Sequence, residues 1–308
     1  MAKTWTILPS FSEDAEAVLH TGDSLKFLRT LPDACCTLTI SSPPYNIGKE
    51  YEVPVELENY LRGQEDVLSE VVRVTAANGS VCWQVGNYIK AGEVFPLDIY
   101  YYPILKRHGL QLRNRIVWHF GHGLHASRRF SGRYETLMWF TKGDQYKFNL
   151  DAVRVPSKYP GKRNYRGPRK GEISGNPLGK NPSDFWELLA SEWDDATWDI
   201  PNVKFNHPEK TEHPCQFPVE LVERCVLALS DRGDRILDPY GGVGSTAIAA
   251  LKNGRKTIIV DHEPKYTQIA RGRIRALEVG RLPTRRIGTP VYQPTGRERA
   301  AQNPLEWS

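Results

Sequence analysis

Ser42-Pro43-Pro44-Tyr45 combines a hydroxyl, a stiff backbone short of N–H donors and an aromatic face within four residues. Two consecutive prolines fix φ and remove two donors, so the segment presents carbonyl acceptors to whatever lies in front of it. Ser42 adds a hydroxyl and Tyr45 a flat ring that can stack. Acceptors beside an aromatic wall suit an exocyclic amine carried on a planar heterocycle. By itself the tetrapeptide also reads as an ordinary proline-rich turn.

A second constellation lies near the end of the chain, where residues 237–246 read Leu-Asp-Pro-Tyr-Gly-Gly-Val-Gly-Ser-Thr. Gly241, Gly242 and Gly244 lack a Cβ, which permits positive φ and a close approach of ligand to backbone. The turn feeds a helix start at Ser245 and Thr246, where unpaired N–H groups favour a carboxylate or phosphate. Asp261 ends the next strand, in position to accept hydrogen bonds from ribose hydroxyls. Gly242-Val-Gly244-Ser-Thr-Ala247 satisfies the dinucleotide pattern G-x-G-x-x-G/A, but no Gly-Lys-Ser/Thr closes a P-loop. A nicotinamide or flavin cofactor and a ligand-free turn both fit, and the loop alone leaves the cofactor open.

These residues need elements to hold them. The run Cys36–Ile40 is alternating and β-branched, a buried strand that delivers Ser42–Tyr45 at its carboxyl end. Open α/β sheets bind their ligands beyond such ends. Arg235–Asp238, the helix Ser245–Asn253, the strand Thr257–Asp261 and the helix Glu263–Glu278 form one βαβα unit. That unit cannot bury both faces of a sheet, so further strands must come from earlier in the chain. Ala17–Thr21, Ser80–Val85 and an antiparallel pair, Leu112–Phe120 with Glu135–Thr141, complete about seven strands. Helices are expected at Ser24–Arg29, Leu57–Ala76, Phe95–His108 and Phe217–Leu229. The fold class is α/β: a Rossmann-like, circularly permuted sheet with helices on both faces, its cofactor half last, and a small inserted module.

Taken in order, Gly22-Asp23, Ser42–Tyr45, a basic middle, His213-Pro214 with Phe217-Pro218, and Asp238–Gly244 resemble one enzyme family. It is that of the permuted (β-arrangement) S-adenosylmethionine-dependent DNA amino-methyltransferases, which act on cytosine N4 or adenine N6, often in restriction–modification systems. The resemblance covers roughly residues 17–276. It implies S-adenosyl-L-methionine as cofactor. Asp238, Pro239, Tyr240, Gly241, Gly242, Gly244, Ser245 and Thr246 would hold its methionine end, and Asp261 its ribose. Asp23 would lie beside the adenine and Phe217 would help close the pocket. Where the family more often carries Glu this chain has Asp261, a shorter carboxylate expected to keep the ribose contact. Asp23 also fits a helix N-cap, and Phe217 a simple core position.

The mechanism implied is direct attack of a flipped base's amine on the sulfonium methyl, with Ser42 and the Pro43 carbonyl as acceptors, Pro44 as rigid support and Tyr45 as stacking surface. The five cysteines form no Cys-x-x-Cys pair, and no nucleophile for ring-carbon methylation is assigned among them. Ser in the first motif position goes with cytosine N4 more often than adenine N6 in this family, whereas Asn46-Ile47-Gly48-Lys49 is similar to adenine enzymes. Cytosine N4 is the expectation.

Between residues 154 and 180, Lys158, Lys162, Arg163, Arg166, Arg169 and Lys170 are interleaved with Tyr159 and Tyr165 against a single acid, Glu172. Such a stretch suits phosphate contacts on duplex DNA. Upstream, Arg128, Arg129 and Arg133 follow His119, His122 and His125, whose glycine-interrupted spacing assigns no metal. The stretch Asp184–Asp199, with Trp186, Trp193 and Trp198, reads as a packed module wall.

The corresponding division is a catalytic half at 1–145, a basic target-recognition insertion at 146–205, a cofactor half at 206–280 and a loosely ordered tail at 281–308. The chain is 40% hydrophobic, with a net charge of +5, no apolar leader and no membrane-length run, which is consistent with a cytoplasmic protein. A monomer or homodimer, with or without a separately encoded restriction endonuclease as partner, fits this reading. A nicotinamide-dependent oxidoreductase would leave Ser42–Tyr45 unexplained, and a non-catalytic DNA-binding protein would bind DNA without methyl transfer.

Overall fold

The computed structural model describes residues 4–46, 55–120, 125–186, 203 and 207–285. Its centre is one sheet of nine strands. In chain order these are β1 (Ile7–Leu8), β2 (Ala17–Thr21), β3 (Cys36–Ser41), β4 (Thr75–Val85), β7 (Gln111–His119), β8 (Tyr134–Thr141), β9 (Phe185–Trp186), β10 (Arg235–Asp238) and β11 (Lys256–Asp261). A separate hairpin pairs β5 (Asn87–Lys90) with β6 (Glu93–Pro96). The spatial order of the large sheet is β1-β2-β11-β10-β3-β4-β8-β7-β9. Every neighbouring pair is parallel except those that β8 makes with β4 and β7. The last two strands among the described residues therefore sit inside the sheet, between β2 and β3.

Alternate residues of the strands feed two cores, as a period of two requires. Ile236 and Ile259 point to one face, where they meet α4 (Val219–Leu229), α5 (Ser245–Lys252) and α6 (Pro264–Glu278). Leu237, Ile258 and Val260 point to the other, covered by α1 (Ser24–Leu28), α2 (Leu57–Val74) and α3 (Leu97–Arg107). Three helices on each face explain why the central strands are apolar on both sides.

The structure amends the sequence reading in three places. About seven strands become nine, because the two-residue strands β1 and β9 add to the edges of the expected seven. The expected helix at Phe95 begins later: Phe95 and Pro96 belong to β6, paired with Tyr88 and Asn87, and Pro96 is the N-cap of α3. The chain also does not loosen at Arg281. Leu282 packs on the core beside α4, the Arg285 N–H donates to Glu209 Oε1 at 3.1 Å, and the buried Arg285 guanidinium pairs with buried Glu220. A charge pair hidden from water holds this segment in place. Arg286, Pro290 and Pro294 of the tail lie outside the described residues, as do His122, Trp193, Trp198 and the segment 47–49.

Candidate active site

Beyond the carboxyl ends of the strands the sheet opens into a cleft of about 600 Å³. It lies across β10 and β3, where the strand order reverses direction, the place an α/β sheet leaves a crevice. Asp23, Ser42, Pro43, Pro44, Tyr45, Phe217, Asp238, Tyr240, Gly241, Gly242, Ser245 and Asp261 all line it. Pro239, Gly244 and Thr246 are placed just behind the wall. The Pro239 carbonyl accepts from Ser24 Oγ at 2.5 Å, Gly244 is the N-cap of α5, and Thr246 Oγ1 donates to Asp238.

The glycine turn cannot carry side chains. A Cβ on Gly241 would stand 2.6 Å from Ile259 Cβ, and Gly244 holds φ +79° with only 2.8 Å to Ala270 Cβ. α6 and β11 close on the loop, and its backbone forms the floor of the cleft. Asp238 fastens the floor to the neighbouring strand. Its carboxylate accepts from Ser41 Oγ at the end of β3 and from Thr246 Oγ1 in α5, both at 2.6 Å, and from the Tyr240 N–H at 3.1 Å. Burial raises its pKa, and the charge of Asp261 adds to this. The three donors oppose the rise, and the result is about 6.

Asp261 Oδ2 accepts from the Gly242 N–H at 2.8 Å, and Oδ1 from the Glu263 N–H at 2.9 Å. Each oxygen keeps a second lone pair for a hydroxyl donor. Asp23 is the N-cap of α1, taking the Lys26 N–H at 2.7 Å, and its side chain also borders the cleft. His213 lies against the turn, its Nε2 3.3 Å from where a Cβ on Gly242 would stand, and its ring meets Tyr266 at 4.5 Å. Burial and then Lys210 bring its pKa down to about 4, so the ring is neutral near pH 7. Phe217 packs half-buried just before the Pro218 N-cap of α4. Cys215, which follows Pro214, also borders the cleft, a thiol that the sequence reading gave no role.

The other wall is built around Ser42–Tyr45. Tyr60 of α2 donates to the Pro44 carbonyl at 2.6 Å and shares a 2.7 Å hydrogen bond with the Tyr101 hydroxyl of α3, so two buried phenols brace the proline pair. Ser42 Oγ lies 3.0 Å from the Tyr45 hydroxyl, which donates to Gln84 Oε1, also at 3.0 Å. Gln84 Nε2 in turn donates to Glu135 Oε2. Burial, and then the charge of Glu135, push the Tyr45 phenol well above its ordinary range.

Sequence reasoning missed Gln84 and Glu135. Gln84 stands near the carboxyl end of β4, and Glu135 is opposite Trp118 in β8, where β7 and β8 pair. The usable signal was the strand-end rule applied to β4, together with an acid opening the antiparallel strand. Gly86 makes room for Tyr45 and Glu135, since a Cβ there would meet Tyr45 Cε2 at 3.0 Å and Glu135 Oε1 at 3.4 Å. Trp118 and Phe120, in edge contact at 5.2 Å, complete an aromatic end of the cleft.

The basic residues lie outside the cleft. Arg128 and Arg129 are exposed and Arg133 is half-buried, its carbonyl accepting from the Phe120 N–H at 2.8 Å, so that loop joins the cleft wall. Between them Phe130 is 99% exposed. Lys158, Lys162, Arg163, Arg166, Arg169 and Lys170 are all exposed on a helix-free stretch held by two bridges, Val155–Lys180 and Arg163–Ile173. That stretch returns to the sheet at β9, and Trp186 is buried in the core.

Comparison with known proteins gives these features a class. The family model for DNA methylases of the N6/N4 type matches residues 36–272. The type II methyltransferase M.BglII of Bacillus subtilis is 42% identical over 85% of this chain and 69% of its own. The DNA adenine methyltransferase YhdJ of Escherichia coli K12 is 28% identical over 86% of this chain and 84% of its own.

Among solved structures, PvuII DNA methyltransferase, described as cytosine-N4-specific, matches with a TM-score of 0.64 at 19% identity, covering 87% of this chain and 89% of that one. The Thermus thermophilus protein TTHA0409, solved with S-adenosyl-L-methionine, matches with a TM-score of 0.60 at 27% identity, covering 86% and 95%. The chain belongs to the DNA methylase family, the amino-methyltransferases of N6 and N4 type.

Proposed function

We propose that this enzyme transfers a methyl group from S-adenosyl-L-methionine to the N4 amine of a cytosine flipped out of duplex DNA. One observation carries the reading: a single cleft has the glycine turn with Asp238 and Asp261 on one wall and the acceptors of Ser42 and Pro43 on the other. Its volume falls within the range of small-molecule sites, about 300–1,000 Å³.

The residues present fit the cofactor. Asp238 would take an ammonium, the turn and the start of α5 a carboxylate, Asp261 ribose hydroxyls, and Asp23 the edge of an adenine. When bound, S-adenosyl-L-methionine supplies an electrophilic methyl on a sulfonium. The chain does the rest by placement. Pro44 is held by Tyr60, which leaves Ser42 Oγ and the Pro43 carbonyl to accept from the amine and to favour its pyramidal, charge-developing form over the planar one. Tyr45, Trp118 and Phe120 offer rings to the extruded base, and exclusion of water strengthens each polar contact. The arginines at 128–133 and the exposed arginines and lysines at 158–170 would track phosphates, and Phe130 is an apolar side chain of the kind that fills the gap left by a flipped base.

Ser42 is the ground for choosing cytosine. Adenine N6 stands as the second reading, favoured by the similarity to the adenine methyltransferase YhdJ. Paired variants separate the two walls. Ser42→Ala should lower the methyl-transfer rate about tenfold or more while leaving cofactor affinity within about twofold. Asp238→Ala should weaken cofactor binding in a titration calorimeter by roughly tenfold or more, as loss of a charge-assisted bond does. Full cofactor affinity in Asp238→Ala would overturn the assignment of the turn.

A further inference from the structure

The hydrogen bonds behind Ser42 have a direction, and one residue sets it. Glu135 anchors the series, and its carboxylate in the ionised form can only accept. The Gln84 amide must therefore turn its NH₂ to Glu135 and its carbonyl to Tyr45, as the contacts show. The Tyr45 hydroxyl has one proton, and it is spent on Gln84 Oε1. Ser42 must then donate its own proton to the Tyr45 oxygen across the 3.0 Å contact. Nothing is left for Ser42 Oγ to offer the cleft except lone pairs. We propose that Glu135 is a positioning residue which, through Gln84 and Tyr45, makes Ser42 an acceptor only, so that the site admits an amino group and refuses a carbonyl oxygen at the same place.

The inference rests on the methyltransferase reading and adds to it a filter on the substrate. Cytosine and adenine carry an amine where uracil, thymine and hypoxanthine carry a carbonyl. A fixed acceptor pairs with the amine and leaves a carbonyl facing a lone pair, and a site built to bond an N–H rejects an analogue lacking it strongly. The negative charge behind the series also favours positive charge developing on the attacked nitrogen, since bonded chains polarise one another.

Glu135→Gln is the informative change, because it keeps the shape and removes the constraint. The amide introduced at position 135 can present its NH₂ to Gln84, which lets the whole series reverse and points the Ser42 proton into the cleft. Steady-state methylation of duplex DNA should then show kcat lowered by about tenfold to a hundredfold, with KM for DNA and cofactor affinity little changed. The double variant Gln84→Glu with Glu135→Gln restores an acceptor-only group, now at position 84, which can take protons from both Tyr45 and the amide at position 135. It should recover most of the lost kcat.

Tyr45→Phe keeps the ring, cuts the series and should lower kcat in the same way. Thermal melting and cofactor titration establish that each variant is folded. Wild-type kcat in Glu135→Gln or in Tyr45→Phe would overturn the proposal, as would a folded double variant no faster than Glu135→Gln. The wild-type enzyme is assayed alongside. Absence of any methylated base there counts against the methyltransferase reading, whereas loss confined to the variants bears on Glu135.

Discussion

Asp238 is asked to do two things whose electrostatic demands oppose each other. It is buried where it fastens β3 to α5 through Ser41 and Thr246, and the proposed role needs it ionised to hold a cationic ligand. Burial moves its pKa to about 6 in the folded protein, above the usual 3.8. The group therefore takes up a proton as pH falls through about 6, and the protonated form has no charge to offer an ammonium. Cofactor affinity should fall as pH is lowered from about 7.5 to about 5, steepening near 6. Asp238→Asn should bind weakly at both ends of that range and lose most of the pH dependence, as titration calorimetry at several pH values would show. Affinity that rises on acidification would contradict this.

At the scale of elements, the motif segments were legible because each is local. Ser42–Tyr45 and Asp238–Gly244 both follow a strand immediately, so a strand prediction and a glycine count were enough to place them. Gln84 and Glu135 were not legible in this way. They are 51 positions apart in sequence and meet only because β8 runs antiparallel beside β4. Register across strands, not spacing along one, brings them together. The β5–β6 hairpin was hidden for a different reason: Phe95 continues the apolar periodicity of α3, and only Pro96 marks the break.

Residues 281–285 are anchored although the sequence there is polar, because composition does not reveal an ion pair with a distant helix. That pair makes a prediction of its own. Arg285→Ala takes one cation from buried Glu220 and leaves Arg224 at 3.7 Å from it. Stripping one partner from a buried pair costs about 3–5 kcal/mol, and the lower end applies here because Arg224 stays. Chemical denaturation should show a loss of about that size. A change below roughly 0.5 kcal/mol would place Arg285 among ordinary surface residues instead.

At the scale of the whole molecule, the sheet order explains why the two motif segments share one cleft. The wall proposed for the cofactor comes from β10, β11 and β2, the wall proposed for the amine from β3, β4 and β8, and the two meet where β10 adjoins β3. Asp238 and Ser41 bridge that seam directly. The net charge of +5 is modest, and exposed cations cluster at Arg128 and Arg129 and along 158–170. Local charge of this kind serves a polyanion better than a uniformly basic surface does.

The most direct test of the assigned reaction is to incubate the pure protein with isotopically labelled S-adenosyl-L-methionine and duplex DNA of mixed sequence, digest the DNA to nucleosides and identify the labelled base by mass spectrometry. Label is expected in N4-methylcytosine. Label in N6-methyladenine would contradict the weight placed on Ser42 while leaving the two walls of the cleft as described, and DNA without any labelled base would contradict the proposed function itself.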